Sequence, residues 1–246
     1  MNQAWLCPDW NAAPRVRALV TTRSGGASSA AYASFNLALH VGDDPAAVES
    51  NRQRLRQAPY HLPADPLWLQ QVHGTRVLAA EDYRQGAEAD ACVSHTPGLV
   101  CAVLTADCLP LLLCAADASV VAAVHAGWRG LAAGAIESAI VAMAIDPTKL
   151  LAWLGPAIGP TAFAVGADVR NAFLRRDAAA AQAFAPLGPD KWLCDLYLLA
   201  RQQLAGLGVM RVSGGECCTF NDPERFYSYR RAAVTGRMAS CIWLEA

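Results

Sequence analysis

Residues 99–128 form the most apolar stretch of the chain, and the way it is interrupted decides what it can become. Asp107, Pro110, Asp117 and His125 cut it. Its longest unbroken apolar run is well short of the roughly 20 residues that a membrane-spanning helix needs. What remains is a set of short apolar runs bounded by Gly, Pro or Asp, which is a strand pattern. Positions 99–104, 109–114 and 119–124 read this way, as do 67–72 and 75–80 before them.

The flanking sequence supplies the other elements. Residues 15–22 alternate polar and apolar positions, as a half-buried strand does. A Gly/Ser-rich loop follows. Asp44-Pro45 reads as an N-cap with proline at the first helical position, opening a helix to about residue 57. Gly127 and Gly130 lead into another helix, whose Leu131, Ala135, Ile136, Ala139, Ile140 and Met143 share one face. Residues 151–154 read as a strand ended by GPAIGP. Helices over about 167–175 and 195–204 and strands near 209–213 and 238–243 complete the chain. Strand runs and helix runs are partly segregated, which favours a single α+β domain over 1–246 rather than a regular βαβ winding.

Composition narrows the function classes. Apolar residues make up 54% and charged residues 17%, which excludes intrinsic disorder. The net charge of -1 gives no strong global field, so neither nucleic acid nor a membrane is an expected partner. The first ten residues carry no basic flank and no long apolar run, unlike a secretory signal. Nine cysteines, an odd number sitting mostly in apolar runs, then read as reduced thiols of a cytoplasmic protein. The vicinal Cys217-Cys218 pair is included in that reading.

The residues that interrupt the strands carry the chemistry. His73 and His125 stand at strand ends beside glycine, where a scaffold presents functional side chains. Between them, Asp107-Cys108 breaks two apolar strands. Their wide separation excludes a single-helix site, so His73, Cys108 and His125 would have to converge from three strand ends. Two imidazoles and a thiolate suit zinc, and a fourth position left to water would make the site catalytic. The same residues read equally as a metal-free Cys–His nucleophile pair, or as core histidines with a small buried thiol. Asp107 is either a turn cap or a proton-transfer residue. His40 is a further metal-ligand candidate or a plain loop histidine.

Arginines form the second signal. Arg129 opens a helix directly after His125, a ready anion site or a solvated first turn. Arg230 follows the aromatic run Phe226-Tyr227-Ser228-Tyr229 and could clamp a base or a phosphate, or simply mark a strand edge. Asn36, polar between apolar neighbours, is a candidate ligand contact.

QVHG (71–74), LTADCLPLLL (104–113), AVHAGWRG (123–130), LGPAIGP (154–160) and FYSYRRAAVTGRMASCIWL (226–244) occur in this order. With these motifs the chain resembles the YfiH-type family, also called laccase-domain or polyphenol-oxidase-like, whose members are described as purine nucleoside phosphorylases that also deaminate adenosine. The resemblance implies a zinc site of His73, Cys108 and His125. It also implies mixed β-sheets in a sandwich-like core flanked by helices, similar to the catalytic domain of cytotoxic necrotizing factor. Ala164 stands where members often carry an acid, and Cys217 where a basic residue is common.

The expected function is therefore zinc-dependent phosphorolysis of adenosine, inosine and related nucleosides, with adenosine deamination, in a monomer or weak oligomer whose partners are nucleoside and phosphate. Asn36, Arg129 and Arg230 would then bind substrate, and Asp107 would assist the three metal ligands in catalysis. The alternatives are a copper polyphenol oxidase, a Cys–His hydrolase acting on peptidoglycan precursors, and a zinc-stabilised binding module. Five histidines are too few for a multicopper cluster, although copper would compete for a His–Cys–His site.

Overall fold

The computed structural model describes residues 5–57 and 59–246. Residues 1–4, part of the terminus read above, lie outside them. The described residues are built around two sheets that pack face to face. The larger has six strands in the order Arg211–Gly214, Leu150–Leu154, Leu109–Ala115, Val121–Ala126, Ala91–Ser94 and Val77–Ala79. The second has four: Trp5–Leu6, Val16–Thr21, Met238–Leu244 and Cys101–Thr105. Antiparallel pairing dominates, with parallel pairs only at the two edges of the larger sheet. This is a mixed α+β fold.

Alternation along the strands explains the layers. On Leu109–Ala115, residues Leu111 and Leu113 face the helices Ala135–Met143 and Leu196–Gly206. Leu112 and Cys114 face the other way, against Val103, Ile242 and Leu244 of the second sheet. The second sheet covers its outer face with Phe35, Leu37, Leu55 and neighbours. Because both faces of each sheet are covered, central strands are buried at every position and read as continuous apolar runs. No helix among the described residues is long and apolar enough to cross a membrane.

Several elements depart from expectation. Segment 67–72 is not a strand. Its backbone makes isolated bridges, Leu67 with Cys101 of the second sheet and Gln70 with Glu88. The Gln71 side chain then pairs with both backbone groups of Leu104, at 2.7 and 2.9 Å, doing for the edge of that sheet what a strand backbone would do. The helix after Gly127 is two helices, Trp128–Ala133 and Ala135–Met143, divided at Gly134, whose φ of 105° is left-handed. The helix opened by the Asp44 cap ends at Arg54, three residues early, in tighter turns. A third sheet of Phe184–Gly188, Lys191–Cys194 and Ala164–Gly166 and the strand Ala91–Ser94 were not legible, each being only three to five residues long. All nine cysteines are free, with five of them buried.

Leu112 is fully buried between the two sheets, whereas Met210 is 75% exposed. Leu112→Ala should therefore lower unfolding free energy by about 2–5 kcal/mol, and Met210→Ala should change it by no more than about 0.5 kcal/mol. Urea denaturation followed by circular dichroism reads both. Equal effects would contradict the packing described.

Candidate metal centre

Register brings the site residues to one end of the larger sheet. Ala91 pairs with Val124 and Leu109 with Ala126, so the start of one strand, the end of the next and the start of the third lie side by side. Val77 pairs in parallel with Ala91, which places the preceding loop, 72–76, at the same end. His73, Asp90, Cys108 and His125 all flank these termini. Sequence reasoning identified three of the four.

The missed residue is Asp90, which is fully buried. Its carboxylate accepts the backbone N–H groups of Val72 (3.2 Å), His73 (2.9 Å) and Gly74 (2.6 Å). It also lies 2.8 Å from His125 Nδ1. Burial opposes its charge, but His125 and these amides hold its pKa below the usual carboxylate value. A carboxylate only accepts, so Nδ1 of His125 carries the proton and Nε2 is left free to bind. The one sequence signal was an acid immediately before the small apolar run ACVS.

His73, Cys108 and His125 then converge. Their ligand atoms all lie within 4.8 Å of one another, and they are the one such group among the described residues. His73 Nε2 is 3.9 Å from Cys108 Sγ, near the edge of about 3.5 Å that tetrahedral zinc distances imply. Burial pushes the Cys108 thiol up, but His125 and His73 outweigh it and bring its pKa to about 6. Burial likewise disfavours charge on His125, yet Cys108 and Asp90 raise its pKa to about 9. Gly127 makes room, since a Cβ there would sit 2.8 Å from Cys108 Sγ and 3.2 Å from His73 Cδ2. Thiolate, imidazoles, spacing and the carboxylate behind His125 all fit a divalent metal of the zinc type.

Asp107 adopts a φ of 92° and His73 one of 62°, unusual for residues other than glycine. Holding such conformations costs about 1–3 kcal/mol each, borne by the surroundings. For Asp107 the restraint is visible. Oδ1 accepts from Thr219 Oγ1 at 2.6 Å, and Oδ2 from Ser228 Oγ at 3.0 Å and Arg230 N at 2.7 Å. These partners lie 112, 121 and 123 positions away, and they tie the 219–230 segment to the site.

The centre opens into a cavity of about 470 Å³, within the usual size range for small-molecule sites. Arg129, Arg230 and Arg237 line it, together with Trp128, Phe163 and Tyr229. His40 lines it too but lies outside the three-ligand group. Asn36 does not line it. Its amide is buried among Ala38, Asp43 and the backbone of Arg237. Arg237 was not singled out in the sequence, where it sits among small residues before an apolar strand.

The family described as multi-copper polyphenol oxidoreductase laccase matches residues 17–245. A relative from Pseudomonas aeruginosa named purine nucleoside phosphorylase is 53% identical over 243 residues, covering 98% of this chain and 99% of that one. The purine nucleoside phosphorylase YfiH of Escherichia coli is 53% identical over 241 residues, covering 97% and 98%. Among solved structures, a Neisseria meningitidis protein of the DUF152 family superposes with a TM-score of 0.96 at 48% identity, covering 99% of this chain and all of that one. YlmD from Geobacillus stearothermophilus superposes with a TM-score of 0.89 at 30% identity, covering 100% and 98%.

Asp90→Asn keeps shape but not charge. It should weaken zinc binding by about 10–100-fold, because the support behind His125 is lost. Competition against a chromophoric chelator measures this. An unchanged affinity would show that Asp90 does not support the ligand.

Proposed function

The chain belongs to the family described as multi-copper polyphenol oxidoreductase laccase, and from that premise we propose that it is a zinc-dependent purine nucleoside phosphorylase that also deaminates adenosine. The observation that carries this reading is the charge of the cavity. None of its three arginines forms an ion pair among the described residues. The lining carboxylate, Asp107, already holds three donors of its own. A partly desolvated space with excess positive charge favours an anion. The aromatic rings of Trp128, Phe163 and Tyr229 on the same walls suit a planar base.

In phosphorolysis, a phosphate oxygen bonds to the anomeric carbon of ribose as the bond from that carbon to the purine nitrogen breaks. The bonding electrons leave with the purine, and ribose 1-phosphate is formed. Positive charge builds on the sugar, so an anion held close to it stabilises the transition state. The cationic side chains hold the phosphate, and the aromatic walls orient the base. Asp107 positions the Arg230 segment through the Arg230 backbone N–H rather than by moving a proton. His73, Cys108 and His125 would hold zinc, which when bound supplies a Lewis acid and activates water for replacing the purine amine. Copper would bind the same three donors. The nine free cysteines are consistent with the cytoplasm as the site of action, and the cavity is complete within one chain, consistent with a monomer as the working unit.

A second reading has its own support. The lowered Cys108 pKa and the raised His125 pKa describe a thiolate beside an imidazolium, the activated pair of a cysteine hydrolase.

Inosine turnover should require inorganic phosphate and yield ribose 1-phosphate, detected by 31P NMR. Cys108→Ala should abolish it and release metal, with native circular dichroism retained. A strong chelator should remove activity and zinc should restore it. Activity that survives chelation, needs no phosphate and is blocked by alkylating Cys108 would overturn the phosphorylase in favour of the hydrolase.

A further inference from the structure

We infer that the anion in this cavity is gripped by Arg237 with His40 beside it, and that Asn36 is the positioning residue of this subsite. The inference rests on the phosphorolytic reading for the identity of the anion as phosphate. It assigns the anion to one particular arginine, where the sequence pointed to Arg129 and Arg230.

The three arginines are not equivalent. Arg129 is exposed and lies over its neighbour Trp128, 4.5 Å from the ring centroid. Arg230 is also exposed. It lies over Phe163 at 5.2 Å, and its Nη1 already donates to Ala164 O at 2.9 Å. All three guanidiniums border aromatic rings, Arg237 lying 5.8 Å from the Tyr229 centroid, so burial and not aromatic contact sets Arg237 apart. Arg237 is half-buried and enters from the start of the strand Met238–Leu244.

The guanidinium of Arg237 is anchored from one side. Nη1 donates to Thr235 O at 2.9 Å and to Gly236 O at 3.0 Å. Nε and Nη2 have no hydrogen-bond partner among the described residues, on a side chain that lines the cavity. These two N–H groups form the side-on edge of the guanidinium, which matches two oxygens of a phosphate. Burial is the main influence opposing the charge of Arg237. Cys108 and Asp107 lie near enough to favour its charge, yet neither forms an ion pair with it, and a half-buried cation with no direct anionic partner is costly.

Asn36 explains how this edge is aimed. It is fully buried, and its Oδ1 accepts the backbone N–H of Arg237 at 2.9 Å. Its Nδ2 donates to Asp43 Oδ2 at 2.9 Å and Ala38 O at 3.1 Å. Leu37 N adds a bond to Arg237 O at 3.3 Å. The loop 36–43, which carries His40, is thus clipped to Arg237, and both side chains face the same space. The approach requires glycine at 236, where a Cβ would lie 2.9 Å from Asn36 Cβ and 2.7 Å from Tyr227 Cζ. His40 lines the same cavity as Arg237 and is the imidazole of the proposed subsite.

The test measures the zinc-loaded protein in two ways: steady-state kinetics with inosine and phosphate, and direct phosphate binding by calorimetry without nucleoside. Arg237→Met should raise the KM for phosphate by about 10–100-fold, the range for lost hydrogen bonds to a charged group, while the KM for inosine moves less than about twofold. Arg237→Lys, which keeps a charge without the fork, should fall between, and it replaces Arg237→Met if that variant does not fold. Asn36→Ala should shift the phosphate KM in the same direction without loss of zinc. Arg17→Met, on an exposed strand position, makes the same charge change and should leave phosphate binding intact. If phosphorolysis proceeds and Arg237→Lys and Arg237→Met keep the phosphate KM, the subsite is wrong and the proposed function stands. If no nucleoside is cleaved but phosphate binding depends on Arg237, the function is wrong and the subsite stands. Equal losses in Arg17→Met would overturn the subsite.

Discussion

A buried carboxylate organises this site. Placing an ion such as Asp90 out of water costs several kcal/mol unless its oxygens find donors. Here three consecutive N–H groups of the 72–74 loop and the His125 ring provide them. Those groups come from a loop and a strand that share no continuous ladder. Their common dependence on one carboxylate fixes His73 against His125. It also settles which nitrogen of His125 is free. The His–Cys–His geometry is thus a consequence of satisfying Asp90, and Gly127 keeps the space that Cys108 needs beside it.

The same device recurs twice around the cavity. Asp107 ties Thr219, Ser228 and the Arg230 backbone to the turn that carries Cys108. Asn36 ties Arg237 to the loop that carries His40. In each case a polar side chain beside the cavity is bonded to a remote segment, through backbone and side-chain donors alike. These supports leave the arginine side chains without carboxylate partners, and the cavity keeps excess positive charge. Rigidity and the unpaired positive charge therefore share a cause. The acids near the site hold chain segments in place instead of neutralising the arginines.

Much of the fold was legible because burial on both faces leaves a plain mark. The runs at 109–114 and 119–124 became central strands within two residues of expectation. The Asp44 cap appeared where its proline placed it, with its side chain accepting from Ala46 N. Small residues hid the rest. Ala91–Ser94 carries too little hydrophobic bulk to stand out, although it lies between two strands of the larger sheet. Segment 67–72 has the bulk of a strand, yet its pairing runs largely through the Gln71 side chain, which no periodicity reports.

The sequence by itself determined the strand-rich core and the three residues with metal-ligand chemistry, because apolar runs and rare polar interruptions are local properties. Tertiary structure alone decided what supports them. Asp90 is marked in sequence only by the small apolar run that follows it, and its role exists only because register sets Ala91 opposite Val124. Asn36 looked like a ligand contact, yet its partner Arg237 lies 201 positions away. Whether an arginine faces solvent, an aromatic ring or an unpaired gap depends on segments far apart in the chain. Hydrogen-bond satisfaction of buried groups is a long-range constraint, so it is settled only when the chain is folded.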